Sequence, residues 1–213
     1  MKFIQAFSLF EQYKNPSRSS LTDTSFITVR ENLIGPSEIR TQLLQKKIMP
    51  ENSPLLLVRG STQELIYYDE KGQIVKKMPV STAAKGFGMK EDSGQTPIGL
   101  FRIGKKINGK KYEIIIGKKP SGILLGSNQE STRKDQAGKL HQAEVLTGLI
   151  ELEGLESRNR NTFGRSIYFH GTNREEKLGI KASGGCIRVS NDNILWLIKN
   201  LPDQILVYIQ PGK

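Results

Sequence analysis

From Pro54 onward the chain is written in short apolar runs of strand length separated by turn residues, and that pattern limits the fold more than any other feature. Leu55-Leu56-Leu57-Val58 is followed by Glu64-Leu65-Ile66-Tyr67-Tyr68, and the turn Asp69-Glu70-Lys71-Gly72 leads into Ile74-Val75-Lys76-Lys77-Met78-Pro79-Val80. Aliphatic, β-branched and aromatic runs bounded this way read as a β-meander. Further on, Phe101-Arg102-Ile103 and Tyr112 to Ile116 flank Asn108-Gly109, a strong hairpin signal. Residues 117–141 are polar and turn-rich and are expected to be irregular, while 144–155 alternate poorly and fit a strand or a helix. Helical period is clear only late in the chain. Ser190 or Asn191 caps it, Asp192 sits in the first turn, Ile194, Leu195, Leu197, Ile198 and Leu201 form the apolar face, and Pro202 ends it, with Trp196 packing beside that face. Residues 204–209 close the chain as a strand. The expected class is mainly β with one helix in the C-terminal region.

Residues 1–52 follow other rules. The stretch from Met1 to Phe10 has one basic residue and an apolar run broken by Gln5, a poor secretory signal with no small-x-small cleavage site before Tyr13-Lys14. Export would then need a signal not carried here, or another route. Residues 15–20 are polar and loop-like. Between Pro36 and Pro50 the residues Ile39, Leu43, Leu44 and Ile48 recur at helical spacing, with Ser37 available as a cap and Lys46-Lys47 in the last turn to offset the dipole. The expected division is a helical and irregular N-terminal extension over 1–52, packed on the main domain or acting as a separate binding module, and a main domain over 53–213.

A chain of 213 residues can bury a self-sufficient core, so no cofactor is needed to hold it together. Its 32 basic and 21 acidic residues give +11, which favours polyanionic surroundings. The pairs Lys105-Lys106, Lys110-Lys111 and Lys118-Lys119 are scattered over apparent hairpins with no nucleic-acid module around them, so they read as solvated strand edges and nucleic acid is not an expected partner. No apolar run approaches a membrane span, so stable membrane insertion is not expected. One cysteine excludes an intrachain disulfide, and two histidines, with His141 far from the cysteine, lack zinc-ligand spacing; neither metal nor cofactor is expected. The Gly86-x-Gly88 pair lacks the third glycine and following helix of a nucleotide loop.

The chemistry concentrates in Ser166 to Ser190. His170 follows the β-prone run Ser166-Ile167-Tyr168-Phe169 and precedes Gly171-Thr172, so it belongs at a strand end; the only cysteine, Cys186, follows Ser183-Gly184-Gly185 and precedes Ile187-Arg188-Val189. A lone cysteine is more often an inert small hydrophobe. Here two glycines let the backbone approach a substrate, and adjacent N–H groups, those of Gly185 and Cys186, can converge on a developing oxyanion. An imidazole within reach would make a thiolate–imidazolium pair. Arg188 either binds a substrate carboxylate or pairs locally to hold the loop, and Tyr168 either lines the groove or packs in the core.

His170-Gly171-Thr172, a spacer of about fifteen residues, and Ser183-Gly184-Gly185-Cys186-Ile187-Arg188 with Asn191 shortly after resemble the catalytic signature of the L,D-transpeptidases, which cross-link bacterial peptidoglycan. Val80-Ser81-Thr82-Ala83 and Gly94-Gln95-Thr96-Pro97-Ile98-Gly99 resemble that family's other landmarks, and the likeness runs from roughly Ser53 to Gln210. It implies a β-sandwich of mixed sheets. It also implies a catalytic group of Cys186, His170 and the Gly171 carbonyl that fixes the imidazole tautomer, with Ser183, Gly184, Gly185, Arg188, Tyr168 and Asn191 around it. Two positions depart from the pattern: Gly184 stands where many members have histidine, and Ala83 where glycine is usual.

The function so implied is acyl transfer on peptidoglycan stem peptides, in cell-wall biogenesis and the maintenance of cell shape, by a monomer in the periplasm or cell envelope. If water takes the acyl group, the same site is an L,D-carboxypeptidase. A non-catalytic wall-binding protein would have lost the thiol or the base, and a papain-like protease places its cysteine before its histidine.

Overall fold

A computed structural model describes residues 36–108, 112–116, 119–124, 132–134, 140–142 and 146–211, with backbone alone for residues 36 and 112–146. The readings of residues 1–10 and 15–20, of Gly109 in the hairpin turn, of Lys110, Lys111 and Lys118, and of the His141 side chain lie outside the described residues.

Helix α1 (Pro36–Gln45) precedes the strands β1 (Leu55–Arg59), β2 (Glu64–Tyr68), β3 (Ile74–Pro79), β4 (Gly99–Asn108), β5 (Tyr112–Ile116), β6 (Lys119–Leu124), β7 (Thr132–Lys134), β8 (Leu140–Gln142), β9 (Leu146–Gly154), β10 (Tyr168–Gly171) and β11 (Ile187–Val189); helix α2 (Asn191–Asn200) and strand β12 (Leu206–Gln210) follow. Eight strands make one sheet in the order β11-β10-β9-β4-β12-β1-β2-β3. The β1–β12 and β10–β11 pairs are parallel and the rest antiparallel, so the fold is mainly β with mixed pairing, as the sequence indicates.

Alternation along each strand explains how one sheet serves two cores. Leu56 and Val58 of β1, with inward residues of the other seven strands of this sheet and Ile194, Leu197 and Leu201 at α2, form the larger cluster. Leu55 and Leu57 point the other way and meet Ile39 and Leu43 of α1, together with Met49, Ile66, Tyr68, Leu100 and Tyr208. A central strand covered on both faces must be apolar at every position, hence the unbroken Leu-Leu-Leu-Val. Ile39 and Leu43 are fully buried, each worth roughly 1.5–3 kcal/mol of transfer free energy, so α1 packs on the sheet. Ser37 lies inside α1, where its carbonyl accepts from Thr41 Oγ1 at 3.0 Å; Lys46 and Lys47 lie beyond its last turn.

The sheet curls until its outer strands nearly meet. After β3 the Val80 N–H donates to the Gln63 carbonyl at 2.8 Å, and Ser81 and Arg188 then exchange backbone hydrogen bonds of 2.9 and 3.0 Å, joining the β3 end of the sheet to β11. Buried Gln63 braces that seam by accepting the Thr82 N–H at 2.8 Å and donating to the Gly60 carbonyl at 2.8 Å.

The structure departs from the sequence reading in the middle of the chain. β4 does not pair with β5: its edges are taken by β12 and β9, and β5 pairs with β6 instead. The residues of β4 beside the turn, Lys106 to Asn108, pair with β9, and that long-range pairing wins over the local hairpin the turn residues favour. The span expected to be irregular carries β6, β7 and β8, and the undecided span at 144–155 holds strand β9.

Candidate active site

Strand register brings the histidine to the thiol. In the parallel pair β10–β11, Phe169 lies opposite Ile187 and His170 opposite Arg188. Phe169, Ile187 and Val189 enter the larger core, so Tyr168 and His170 on β10, with Cys186 and Arg188 on the adjoining stretch, project from the other face. His170 and Cys186 are thus diagonal neighbours on one face. The β9–β10 register shifts between His170 and Gly171, an irregularity of the kind that re-aims side chains beside sites.

His170 is buried, with Nδ1 2.7 Å from the Gly171 carbonyl oxygen. A carbonyl only accepts, so Nδ1 carries the proton and donates, which leaves the Nε2 lone pair to take one. The Cys186 thiol is half-buried and donates to the Ser166 carbonyl at 3.3 Å.

A short staple shapes the thiol loop. Ser183 Oγ donates to the Cys186 carbonyl at 2.6 Å and accepts the Gly185 N–H at 3.2 Å. The Gly185 N–H, expected to face an oxyanion, is therefore engaged by a hydroxyl in this state. Gly185 has φ +136°, and a Cβ there would lie 2.8 Å from Ile167 Cδ1, so the position demands glycine on two counts. Gly184 is exposed, with nothing within 4 Å of an added Cβ. A Cβ at that position therefore has open space around it, and its absence leaves no packing fault.

The three landmarks of the sequence meet at this loop. Ala83 bridges to Ser183, and the Ala84 N–H donates to the Ser183 carbonyl at 2.9 Å. Fully buried Thr96 accepts the Ala83 N–H at 2.9 Å and donates to the Gly185 carbonyl at 2.8 Å, tying the second landmark to the first and third. Ala83 itself is buried without exposed surface, so the methyl that replaces glycine is accommodated.

Other sequence candidates fall around this centre. Arg188 is 3% exposed and donates from Nη1 to the Ala182 carbonyl at 3.1 Å, which holds the loop and leaves little of it for a ligand. Tyr168 is buried on the thiol's face and belongs to neither apolar cluster. Burial pushes its pKa up; a hydrogen bond with the Ser166 side chain opposes this, and the neighbouring Cys186 and Glu151 add to it. Asn191 Nδ2 donates to the Thr172 carbonyl and to Glu175 Oε1, both at 2.8 Å, and its Oδ1 accepts from Thr147 at 2.6 Å. It fixes the turn after His170 to the start of α2, whose cap is Ser190, accepting the Asn193 N–H at 3.2 Å.

Sequence reasoning missed the residues that hold the facing loop. Arg165 donates to the carbonyls of Gly88 at 3.1 Å and Gln95 at 2.7 Å, pinning 88–95 beside the thiol's acceptor Ser166. Only the chain neighbourhood of His170 could have pointed to it. Among the described residues no group of three or more His, Cys, Asp or Glu could hold a metal ion, and no helix is long and apolar enough to cross a membrane.

Residues 53–209 match the L,D-transpeptidase catalytic domain, the YkuD family. The chain is 31% identical over 108 residues to the probable L,D-transpeptidase ErfK/SrfK of Salmonella typhimurium, covering 50% of this chain and 33% of that protein. Over 43 residues it is 46% identical to a candidate L,D-transpeptidase of Bacillus subtilis, YqjB, covering 20% of this chain and 24% of that protein. It thus spans about a quarter to a third of the curated relatives it matches. Among solved structures it is similar to an L,D-transpeptidase from Mycobacterium smegmatis, at 16% identity and TM-score 0.45 over 74% of this chain and 58% of that one. A second, from Xylanimonas cellulosilytica, has 17% identity and TM-score 0.46 over 83% and 70%.

Proposed function

The chain belongs to the L,D-transpeptidase catalytic-domain family, and on that premise we propose that it is a cysteine acyltransferase that cross-links peptidoglycan stem peptides. The observation that carries the reading is the shared face of β10 and β11. It presents a half-buried thiol diagonal to an imidazole whose Nδ1 proton is committed to the Gly171 carbonyl.

In the proposed reaction the Cys186 proton leaves the Ser166 carbonyl for His170 Nε2, and the sulfur attacks the carbonyl that joins an L-centre to a D-residue. The developing oxyanion meets the Cys186 N–H, and the Gly185 N–H joins it when Ser183 Oγ releases that hydrogen; one such donor is worth roughly 3 kcal/mol in the transition state. The imidazolium then protonates the departing D-residue, leaving a thioester on Cys186. An amine acceptor such as diaminopimelate attacks the thioester, His170 takes the amine's proton, and the thiol is restored as the new amide forms. Thr96, Ser183 and Arg188 hold the loop, and Asn191 holds the turn after the base.

Water at roughly 55 M competes for the thioester, so the amine must be positioned, and good positioning supplies effective concentrations of ~10⁵ M or more. The 85–96 loop, pinned by Arg165, supplies a wall on which an acceptor stem can rest. Incubation with a purified disaccharide tetrapeptide, followed by mass analysis, tests the reading. A cross-linked dimer is the expected product. Tripeptide and free D-alanine alone, at millimolar acceptor, would establish an L,D-carboxypeptidase in its place. A site of action in the periplasm or cell envelope goes with this activity, since that is where stem peptides lie.

A further inference from the structure

The nucleophile is held in its protonated form by a carbonyl that is itself held by a side chain. Ser166 accepts from the Cys186 thiol at 3.3 Å. A carbonyl has no proton to give, so this bond exists only while the sulfur keeps its own; a thiolate in the same place would face the oxygen lone pairs. Hydrogen bonding to the neutral form of a group disfavours its charged form. The Ser166 carbonyl therefore pulls against the imidazole that would take the proton.

A tight turn aims that carbonyl. The Arg165 N–H donates to the Asn161 carbonyl at 2.9 Å, and the Ser166 N–H donates to the Phe163 carbonyl at 3.0 Å. Ser166 has φ +57°, a left-handed conformation that a serine keeps only where its surroundings impose it. The Arg165 guanidinium imposes it from the next residue. Its Nη1 donates to the Gly88 carbonyl at 3.1 Å, and its Nη2 to the Gln95 carbonyl at 2.7 Å and to Ser93 Oγ at 3.4 Å. The Gln95 carbonyl oxygen lies in turn 3.6 Å from a Cβ built on Gly185, the residue before the nucleophile. One planar fork thus joins the residue before the acceptor to the loop that packs on the residue before the donor. Burial works against the charge on Arg165, so the fork is partly dehydrated, and charge-assisted bonds of this kind are the stronger ones.

We propose that Arg165 is a positioning residue that keeps the nucleophile a neutral thiol between turnovers, by locking the Ser166 carbonyl onto the Cys186 proton. This rests on the reading of Cys186 and His170 as the reacting pair and adds what sets their resting state. When the turn gives, the hydrogen bond from sulfur to the Ser166 carbonyl breaks and the proton passes to His170 Nε2, leaving a thiolate beside an imidazolium. The other charged or titratable groups around the thiol are His170 and Tyr168 on β10 and Arg188 on β11; across the loop, Lys85 lies over Gly94 and Glu91 acts on Arg165. Loss of Arg165 removes a cation, which through its field alone would disfavour the thiolate, whereas loss of the lock favours it. The two roles predict opposite signs.

Alkylation of the folded protein by iodoacetamide between pH 5.5 and 9.5 reads the thiolate directly. Arg165→Gln is expected to react about fivefold faster than native protein at pH 6.5 and within twofold of it at pH 9.5, where either thiol is ionised. Arg165→Lys keeps the charge but loses the fork, and should show the same rise at low pH. An equal rise at every pH would mean only a more accessible thiol, and a slower reaction at low pH would mean that Arg165 acts through its charge; either result overturns the inference, as does no change. A native profile with its midpoint clearly below that of a free-cysteine peptide would overturn it too, because the resting sulfur would then be a thiolate, and that measurement needs no variant to fold. No stem peptide enters the experiment, so a failure here is told apart from a failure of the transpeptidase reading, which the tetrapeptide assay decides.

Discussion

His170 lies within the backbone ladder of β10 and β11, and Cys186 directly precedes that ladder, whereas the opposite wall of the site, residues 83–96, adds to its backbone bridges the side chains of Thr96 and Arg165 reaching to backbone. Thr96 ties one end of that wall to the thiol loop and Arg165 pins its middle. A ladder of paired strands changes little when one side chain is replaced, because each backbone bond is independent of residue type. A wall that depends on a hydroxyl and a guanidinium can be moved by a single substitution. The fold thus places the reacting groups where the sequence can vary around them, and the groove wall where small changes can tune it. The comparison yields four expectations, of decreasing size.

Largest is the loss of the reacting groups from the ladder-held wall. Cys186→Ala and His170→Ala should each lower acyl transfer by about 10⁴-fold or more while the thermal midpoint stays close to native, since nucleophile and base act as a unit. Turnover by folded Cys186→Ala above one hundredth of the native rate would end the mechanism. Next is a contrast within the thiol loop. Gly185→Ala must adopt φ +136° and displace Ile167 Cδ1, a cost of about 1–3 kcal/mol in strain. Gly184→His meets open space and should change stability by less than about 0.5 kcal/mol. Chemical denaturation of the two variants checks this, and equal destabilisation would mean the loop relaxes more freely than its staple suggests.

The third expectation probes the side-chain-held wall. Thr96→Val keeps the shape of a fully buried side chain but leaves the Ala83 N–H and the Gly185 carbonyl without their hydroxyl, costing about 1–3 kcal/mol. Because the Gly185 carbonyl and the Cys186 N–H belong to one planar peptide group, the variant should lose kcat by ~10- to 100-fold with KM little changed. Thr96→Ser, which restores the hydroxyl, should recover most of it. If Thr96→Val loses stability and activity only in proportion to unfolded protein, Thr96 is merely structural.

The same division explains what could be read from the sequence. β1, β2, β3, α2 and the region of β12 were legible because short-range period and capping residues such as Ser190 specify them locally. His170 and Cys186 stood out because glycines and strand-forming runs mark them within a few residues. The holders did not: Thr96 meets Gly185 across 89 positions and Arg165 meets Gln95 across 70, and no local pattern encodes such pairs. The Asn108-Gly109 hairpin misled for a related reason, since the competition for the edges of β4 is settled by β9 and β12, far away in the chain. The engagement of the Gly185 N–H by Ser183 was also hidden, because a serine two residues away can cap a turn or face solvent with equal ease.

The smallest effect should come from Tyr168, which sits on the ladder-held wall yet contributes a side chain rather than a backbone bond. Burial favours its neutral phenol, so its pKa in the folded chain lies above the ordinary value of 10.0, as do those of Tyr67 and Tyr68. Above pH 10 the unfolded chain releases these protons before the folded chain does, and stability falls with rising pH wherever the unfolded state binds fewer protons. The stabilisation is therefore complete below about pH 10 and is lost as pH climbs through the folded values. Tyr168→Phe removes one of the three groups. Its thermal midpoint should fall less steeply between pH 9.5 and 11 than that of the native protein, with part of the slope remaining for Tyr67 and Tyr68. At pH 7 acyl transfer should stay within twofold because the β10–β11 register keeps His170 in place. Parallel alkaline slopes for variant and native protein would mean that Tyr168 titrates as if exposed. A tenfold loss of turnover at pH 7 would mean that its hydroxyl touches the reacting atoms, and the division between a backbone-held and a side-chain-held wall would then have to be redrawn through β10 itself.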